Sequence, residues 1–379
     1  MKTVIKNGRV YSAANECFED RDLFINGALI SEPFSEKDAN VIDASGLIVA
    51  PGLVDIHTHG RAGYDFTSAG RDGIKKMARS YLESGVTTLM PTLASAPFDT
   101  LTHALDLIYE HGDSEDSARF IGAHLEGRYL NPSKRGAHSL SYLAKPDMTE
   151  LSELLTHMPV PCRISAAFEL DLSGDFTLLA KKHGATLSLA HTLAGKDEAL
   201  LAFKRGVNSV THLFNAMPSL HHRDGASTCA ALTDNSVFTE IICDGIHICP
   251  DMIKLAFICK GADKLCLITD SMEATGCPDG AYSIAGQRVN VKNSIALTED
   301  GALAGSTLSL IKAVENLSRF ADIPLEIALK CATLTPAKAA NIDNFVGSLD
   351  IGKSADVIFI DDLSSLKIKK IIKSGKIIK

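Results

Sequence analysis

The chain is expected to fold as an α/β protein, a (β/α)8 barrel of the TIM type with a small β-sandwich domain built from both chain termini. Three observations carry this expectation. Eight short apolar runs recur between residues 52 and 270 with helix-like segments between them, the rhythm of a parallel sheet wrapped by helices. The first fifty residues and the last thirty-five instead alternate apolar and polar side chains with period two. No G-x-G-x-x-G and no P-loop follows any apolar run, which counts against the alternative of a doubly wound open sheet.

At the N-terminus, "TVIKNGRVYS" (3–12) and "DLFINGALIS" (22–31) each carry Asn-Gly between apolar alternations, the hairpin signal. At the other end, "SADVIFID" (354–361) and "LKIKKIIKSGKIIK" (366–379) alternate in the same way, the latter around a Ser-Gly turn. Neither end could bury a core alone. The expected division is therefore 1–50 plus 343–379 as one β-domain, with 51–342 inserted as the barrel. The expected barrel strands are "GLVDIH" (52–57), "VTTLMPT" (86–92), "FIGAHLE" (120–126) and "CRISAAF" (162–168). They continue with "TLSLAH" (186–191), "SVTHLF" (209–214), "FTEIICD" (238–244) and "KLCLITD" (264–270). Helical patterns such as "GIKKMARSYLES", "PDMTELSELLTHM" and "DMIKLAFICK" fill the gaps.

The net charge of −8 leaves no basic face to offset phosphate repulsion, so nucleic acid is not the expected partner. A small phosphorylated molecule remains compatible, because it needs only a local cluster of positive charge. No apolar stretch reaches membrane-spanning length, and the start lacks a signal peptide's apolar core. The nine cysteines are scattered without a C-x-x-C, and Cys162, Cys243 and Cys266 fall at strand positions, reading as small buried hydrophobes. A reducing, cytoplasmic setting is expected.

In such barrels chemistry sits where the strands end at their carboxyl side. His57 and His59 close the first run, two apart and thus on one face, with Asp55 beside them. That pair alone does not decide between a metal site and two surface histidines, since His-x-His is common. Glu126 ends the third run, His191 the fifth, and Asp270 the eighth, while His212 lies near the end of the sixth. Each has an ordinary alternative: a capping Glu126, an N-cap Asp270, or a hydrogen-bonded His191 or His212. Taken together, so many ionisable groups at one rim would be costly to bury without a cation. A divalent metal with about five ligands removes the cost. His124 shares the face of Glu126 and Asp55 that of His57, so both are candidates to orient ligands. His103, His111, His157 and His183 fall in helical segments beside charges and read as surface residues.

The stretches "APGLVDIHTHG", "HLEGRYLNPSKRGAH", "LAHTLA", "THLFNAM", "HHRDG", "DGIHICP", "ITDSMEATGCPDGAY" and "LAGSTLSL" occur in this order between about residues 50 and 310. In them the chain resembles the amidohydrolase superfamily and, within it, the N-acetylglucosamine-6-phosphate deacetylases. The tail "GSLDIGKSADVIFID" is typical of the wider superfamily and says little about substrate. The resemblance implies Glu126, His191 and His212 as the main metal ligands. His57 and His59 match ligands of a second metal, with Asp270 at the same centre as the catalytic aspartate. It implies one or two divalent ions per subunit (Zn, Fe or Mn). His138 matches the histidine that contacts the acetamide, and Asn215, Ala216, Arg223 and His247 match residues that bind the sugar phosphate. In related homodimers some of these contacts come from the neighbouring subunit, so the resemblance implies a homodimer and makes Arg223 and His247 candidates to serve the partner's site.

The implied reaction is metal-dependent hydrolysis of the acetamide of N-acetyl-D-glucosamine 6-phosphate to glucosamine 6-phosphate and acetate, in amino-sugar catabolism or recycling. Two departures bear on the substrate. Arg128 stands where the family has proline, adding positive charge near the pocket, and "RDGAS" replaces a Pro-Gly in the loop carrying Arg223. They leave open a deacetylase for another N-acetylhexosamine phosphate, such as the galactosamine analogue. A different amidohydrolase, of the kind with a carboxylated lysine ending the fourth strand, finds no such lysine in "CRISAAFEL". A catalytically dead scaffold should have lost ligands, and none is lost.

Overall fold

The computed structural model describes residues 1–361 and 366–378; residues 362–365 and 379, inside the expected terminal β-domain, lie outside the described residues. Eight strands form the barrel: Leu53–Thr58, Val86–Leu93, Ala123–Glu126, Cys162–Ala166, Thr186–Leu189, Ser209–Val210, Phe238–Ile242 and Leu265–Ile268. They pair in parallel in sequence order, as right-handed strand–helix crossovers require. The first five and the eighth are buried at every position, which is why they read as apolar runs without alternation. Between the eighth and first strands the ring is closed by single bonds. Asp270 N–H donates to His57 C=O (3.0 Å), while Leu267 and Val54 donate to Cys331 and Ala332 C=O (2.8 and 2.9 Å).

The helices cover this ring with apolar stripes. In Arg71–Glu83 the inward positions are Ile74, Met77, Ala78, Tyr81 and Leu82, spaced at helical period. The segment 146–158 contains the helix Met148–Thr156, and 251–260 lies within the helix Pro250–Lys260.

The terminal strands form two sheets. One orders Leu29–Ser31, Leu23–Asn26, Lys2–Lys6 and Asn40–Asp43. The other runs Lys376–Ile377, Ile368–Lys373, Val357–Ile360, Ile48–Pro51, Arg9–Ser12 and Cys17–Asp20, so strands from both chain ends share it. Ile5, Val10, Leu23, Ile25, Val49, Val357 and Phe359 make their common core.

Three sequence expectations are corrected here. Asn7-Gly8 is not a hairpin turn: Lys2–Lys6 and Arg9–Ser12 belong to different sheets. A Cβ on Gly8 would sit 2.7 Å from Val49 and 2.8 Å from Ala44, so close approach at the sandwich corner requires this glycine. Asn26-Gly27 and Ser374-Gly375 do turn hairpins, with Asn26 opposite Leu29 and Lys373 opposite Lys376. The sixth strand stops at Val210, before His212 and Phe214, whose φ values are +28° and +78°. Finally, a three-stranded antiparallel sheet, Gly280–Ile284, Gln287–Lys292 and Ile295–Thr298, is inserted after the eighth strand, where the sequence reading placed no element. Its signal was present in "QRVNVK", whose burial alternates with period two.

Candidate metal centre and active site

The strand ends converge on one buried group of side chains. His57, His59, Glu126 and Asp270 place donor atoms within 4.8 Å of one another, and so do Glu126, His191 and His212. Glu126 is common to both sets. Its Oε2 faces His57 Nε2 (3.1 Å) and His59 Nε2 (2.9 Å), and its Oε1 faces His212 Nε2 (3.0 Å) and His191 Nε2 (3.3 Å). Asp270 Oδ1 lies 3.3 Å from His59 Nε2 and 3.5 Å from His57 Nε2. His191, His212 and Asp270 all lie beyond a strand end at positive φ (+43°, +28° and +47°). Such strain costs about 1–3 kcal/mol per residue and gathers at functional sites.

The hydrogen bonds test whether a cation fits. His57 Nδ1–H donates to the Glu240 carboxylate (2.9 Å), and His191 Nδ1–H donates to Lys134 C=O (2.7 Å). A neutral ring whose Nδ1 carries the proton presents a bare lone pair at Nε2. The Nε2 of His57 therefore faces a carboxylate oxygen with lone pair against lone pair, and that of His191 does the same toward Glu126 Oε1. Either protons or a metal ion must lie between them. Burial disfavours charge on His57, yet Glu126 and Asp270 outweigh it and hold the ring well above its ordinary range. Burial likewise opposes the charge on His59, while Asp270 and Glu126 push its pKa up to about 9. Asp270 sits at about 2, because His57 and His59 overcome the burial penalty. The cluster thus demands positive charge at its centre, and a divalent ion would take the same lone pairs that protons occupy without it. Nδ1 of His59 and of His212 has no protein partner among the described residues.

A cavity opens above the cluster. His59, Glu126, His138, His191, His212 and Asp270 line its floor and walls, with Asn215, Ala216 and His247 at one side. Ile284, Leu303, Ala304 and Gly305, from the inserted sheet and the chain after it, complete the lining. His138 Nε2 is 4.0 Å from Glu126 Oε2, and burial, reinforced by His191, lowers its pKa to about 3, so the ring is neutral. His247 is oriented by Nδ1–H donation to Asp244 (2.7 Å).

Other expectations change. Arg223 is exposed on the 221–225 loop, with its guanidinium 2.8 Å from His222 Nε2, and does not line this cavity. Arg128 adds no free charge to the pocket, because it forms a two-pronged ion pair with Glu150 (2.7 and 2.6 Å). Its φ of +63° and its donating N–H are both inaccessible to proline. Among the described residues Asp55 makes no hydrogen bond to a ligand side chain. It accepts from His57 N–H (3.3 Å) and from the Thr269 hydroxyl (2.6 Å), joining the first and eighth strand ends. His124 bonds Thr92 and Ser165 and packs edge-on against the His57 ring. His103, His111, His157 and His183 stay outside the cavity.

The group that orients His57 was missed in the sequence. Glu240 of the seventh strand accepts from His57 and from Arg163 Nη2 of the fourth (2.6 Å), and all three side chains are fully buried inside the barrel. The signal was there: Glu240 in "FTEIICD" and Arg163 in "CRISAAF" are charges set inside apolar strands.

The model of the amidohydrolase family matches residues 48–378. The chain belongs to the amidohydrolase family. It is 32% identical to an N-acetylglucosamine-6-phosphate deacetylase of Vibrio furnissii, across 90% of this chain and 86% of that protein. It is also 32% identical to an N-acetylgalactosamine-6-phosphate deacetylase of Escherichia coli O157:H7, across 89% of each. The crystal structure of the N-acetylglucosamine-6-phosphate deacetylase from Pasteurella multocida superposes with a TM-score of 0.91 at 26% identity, covering 100% of this chain and 99% of that one. Among the described residues no helix is long and apolar enough to cross a membrane.

Proposed function

We propose that the chain hydrolyses the acetamide of N-acetyl-D-glucosamine 6-phosphate to glucosamine 6-phosphate and acetate. The observation that carries this reading is the strand-end cluster of six histidine and carboxylate donors beneath a cavity, in a chain matching hexosamine-phosphate deacetylases along nearly its whole length. His57, His59, Glu126, His191, His212 and Asp270 would hold one or two divalent ions, Zn, Fe or Mn, with Glu126 shared between the two donor sets. Bound there, such an ion polarises a carbonyl and makes water acidic near neutral pH.

The chain's own groups do the rest. Asp270, ionised at neutral pH, takes a proton from the attacking water and returns it to the amide nitrogen as the C–N bond breaks, so that a neutral amine leaves. His138 donates from Nε2 to the carbonyl oxygen as negative charge develops there. His247, Asn215 and the Ala216 backbone hold the phosphate end, remote from the reacting bond. Arg223, outside its own cavity, would reach the phosphate of a second subunit in a homodimer. The barrel over 51–342 is the catalytic unit, the 1–50 plus 343–379 segments its β-domain, and the protein acts in the cytoplasm.

A second reading, N-acetylgalactosamine 6-phosphate as substrate, is favoured by the equal identity to the Escherichia coli relative. Metal analysis of freshly purified protein, paired with acetate release from a panel of N-acetylhexosamine phosphates, decides between them. We expect bound divalent metal and the highest kcat/KM with the glucosamine epimer. Preference for the galactosamine epimer would overturn the first reading in favour of the second, and no acetate from any member would overturn both.

A further inference from the structure

His138 can donate to a carbonyl oxygen only if its single proton sits on Nε2, and the sequence motif around it does not determine that. The structure supplies a determinant. Ser95, two residues past the second barrel strand and 1% exposed, presents two groups to His138 Nδ1: its backbone N–H at 3.3 Å and its Oγ at 3.0 Å. An N–H can meet Nδ1 only if Nδ1 is an acceptor. The hydroxyl oxygen accepts from Arg128 N–H (3.0 Å), and its own hydrogen is free to complete the contact with Nδ1. The backbone N–H therefore excludes a proton from Nδ1, the hydroxyl donates to the same nitrogen, and the ring's proton falls to Nε2, which faces Glu126. Ser95 is itself held by close packing. A Cβ on Gly127 would lie 2.5 Å from Ser95 N and 2.7 Å from its Oγ, so the chain leaving Glu126 presses directly on it. The loop bearing His138 is closed by His138 N–H to Arg135 C=O (3.0 Å) and by Arg135 Nη1 to His138 C=O (3.0 Å).

We propose that Ser95 is a positioning residue that fixes His138 as the Nε2–H tautomer, making that ring a hydrogen-bond donor to the substrate carbonyl. The proposal rests on the deacetylase reading of His138, and its test separates the two. In zinc-loaded enzyme labelled with 15N-histidine, the resonances lost in His138→Asn identify the ring. They should show a protonated Nε2 and a hydrogen-bonded, unprotonated Nδ1. In Ser95→Ala the Nδ1 resonance should move toward that of a free acceptor. Metal content and KM should stay as in wild type while kcat falls roughly 2- to 10-fold, the range of one neutral hydrogen bond. In the His138→Asn background, Ser95→Ala should cost nothing further. A wild-type His138 protonated on Nδ1, an unchanged kcat in Ser95→Ala, or an equal loss in the His138→Asn background would overturn the role of Ser95. Wild-type turnover in His138→Asn alone would instead overturn the reading of His138. Should Ser95→Ala fail to fold, the wild-type 15N signature decides by itself.

Discussion

His57 shows how much a single side chain can carry. One nitrogen is tied to Glu240 and the other faces Glu126 and Asp270, so the ring joins the barrel interior to the reactive surface. The six donors were legible in the sequence because each is polar near the end of an otherwise apolar run and all of them gather at one rim, where burial without a cation would be costly. Their orienting partners were less legible, because tautomers are set by contacts between residues far apart in sequence, such as His191 with Lys134 C=O. Replacing His191 or His212 by Ala removes one of the two histidines that face Glu126 Oε1. Each variant should lose metal and turnover together, and full metal content with wild-type turnover in either would refute the ligand assignment. Asp270→Asn tests a different property. The amide is nearly the same shape but cannot shuttle a proton, so kcat should fall by about 10²- to 10⁴-fold, the usual worth of a general acid–base group. Metal measured in the same preparation should remain. A loss under about tenfold would remove Asp270 from the proton path.

At the scale of elements, periodicity identified the barrel because its strands are buried on both faces and its helices on one. It failed where geometry depends on distant partners. Asn7-Gly8 has the composition of a hairpin, yet its flanking strands pair elsewhere, and nothing local distinguishes it from Asn26-Gly27. The Arg163–Glu240 pair is the energetic counterpart. It crosses the barrel from the fourth strand to the seventh with neither side chain exposed, and Arg163 Nε and Nη1 have no partner among the described residues. Burial alone would raise the Glu240 pKa, but Arg163 and His57 bring it below the usual carboxylate range, so it is ionised. Removing one partner strands a buried charge, at about 3–5 kcal/mol. Arg163→Met should therefore lower the melting temperature sharply, whereas Arg163→Met with Glu240→Gln should recover much of the loss, since Gln still offers His57 an acceptor. A double variant no more stable than Arg163→Met would show that the cost lies in lost packing and not in the uncompensated carboxylate.

At the scale of the whole molecule, the cavity is short of positive charge for a phosphate. His247 lines it, but Arg223 does not and lies on an exposed loop of the same chain. Sequence could assign Arg223 a partner chemistry but not a subunit, because the chain carrying a contact is invisible in one copy of a sequence. If Arg223 acts across a homodimer interface, two defective variants should complement each other. Arg223→Ala lacks the phosphate contact but keeps Asp270, and Asp270→Asn keeps Arg223 but lacks the acid–base group. In a mixed dimer, the site with intact Asp270 receives an intact Arg223 from its partner. Its companion site lacks both. Random exchange makes half the dimers mixed with one good site each, so activity toward the phosphorylated substrate should rise to roughly a quarter of wild type. The unphosphorylated sugar never makes the contact, so mixing should leave its turnover at the simple average of the two variants. If Arg223 serves its own cavity through loop movement, no mixed site is complete, and subunit exchange will restore nothing for either sugar. Arg128→Ala is the control for general loss of positive charge. Its guanidinium is already committed to Glu150, so it should weaken both sugars alike. A phosphate-dependent loss there larger than that of Arg223→Ala would relocate the phosphate toward Arg128.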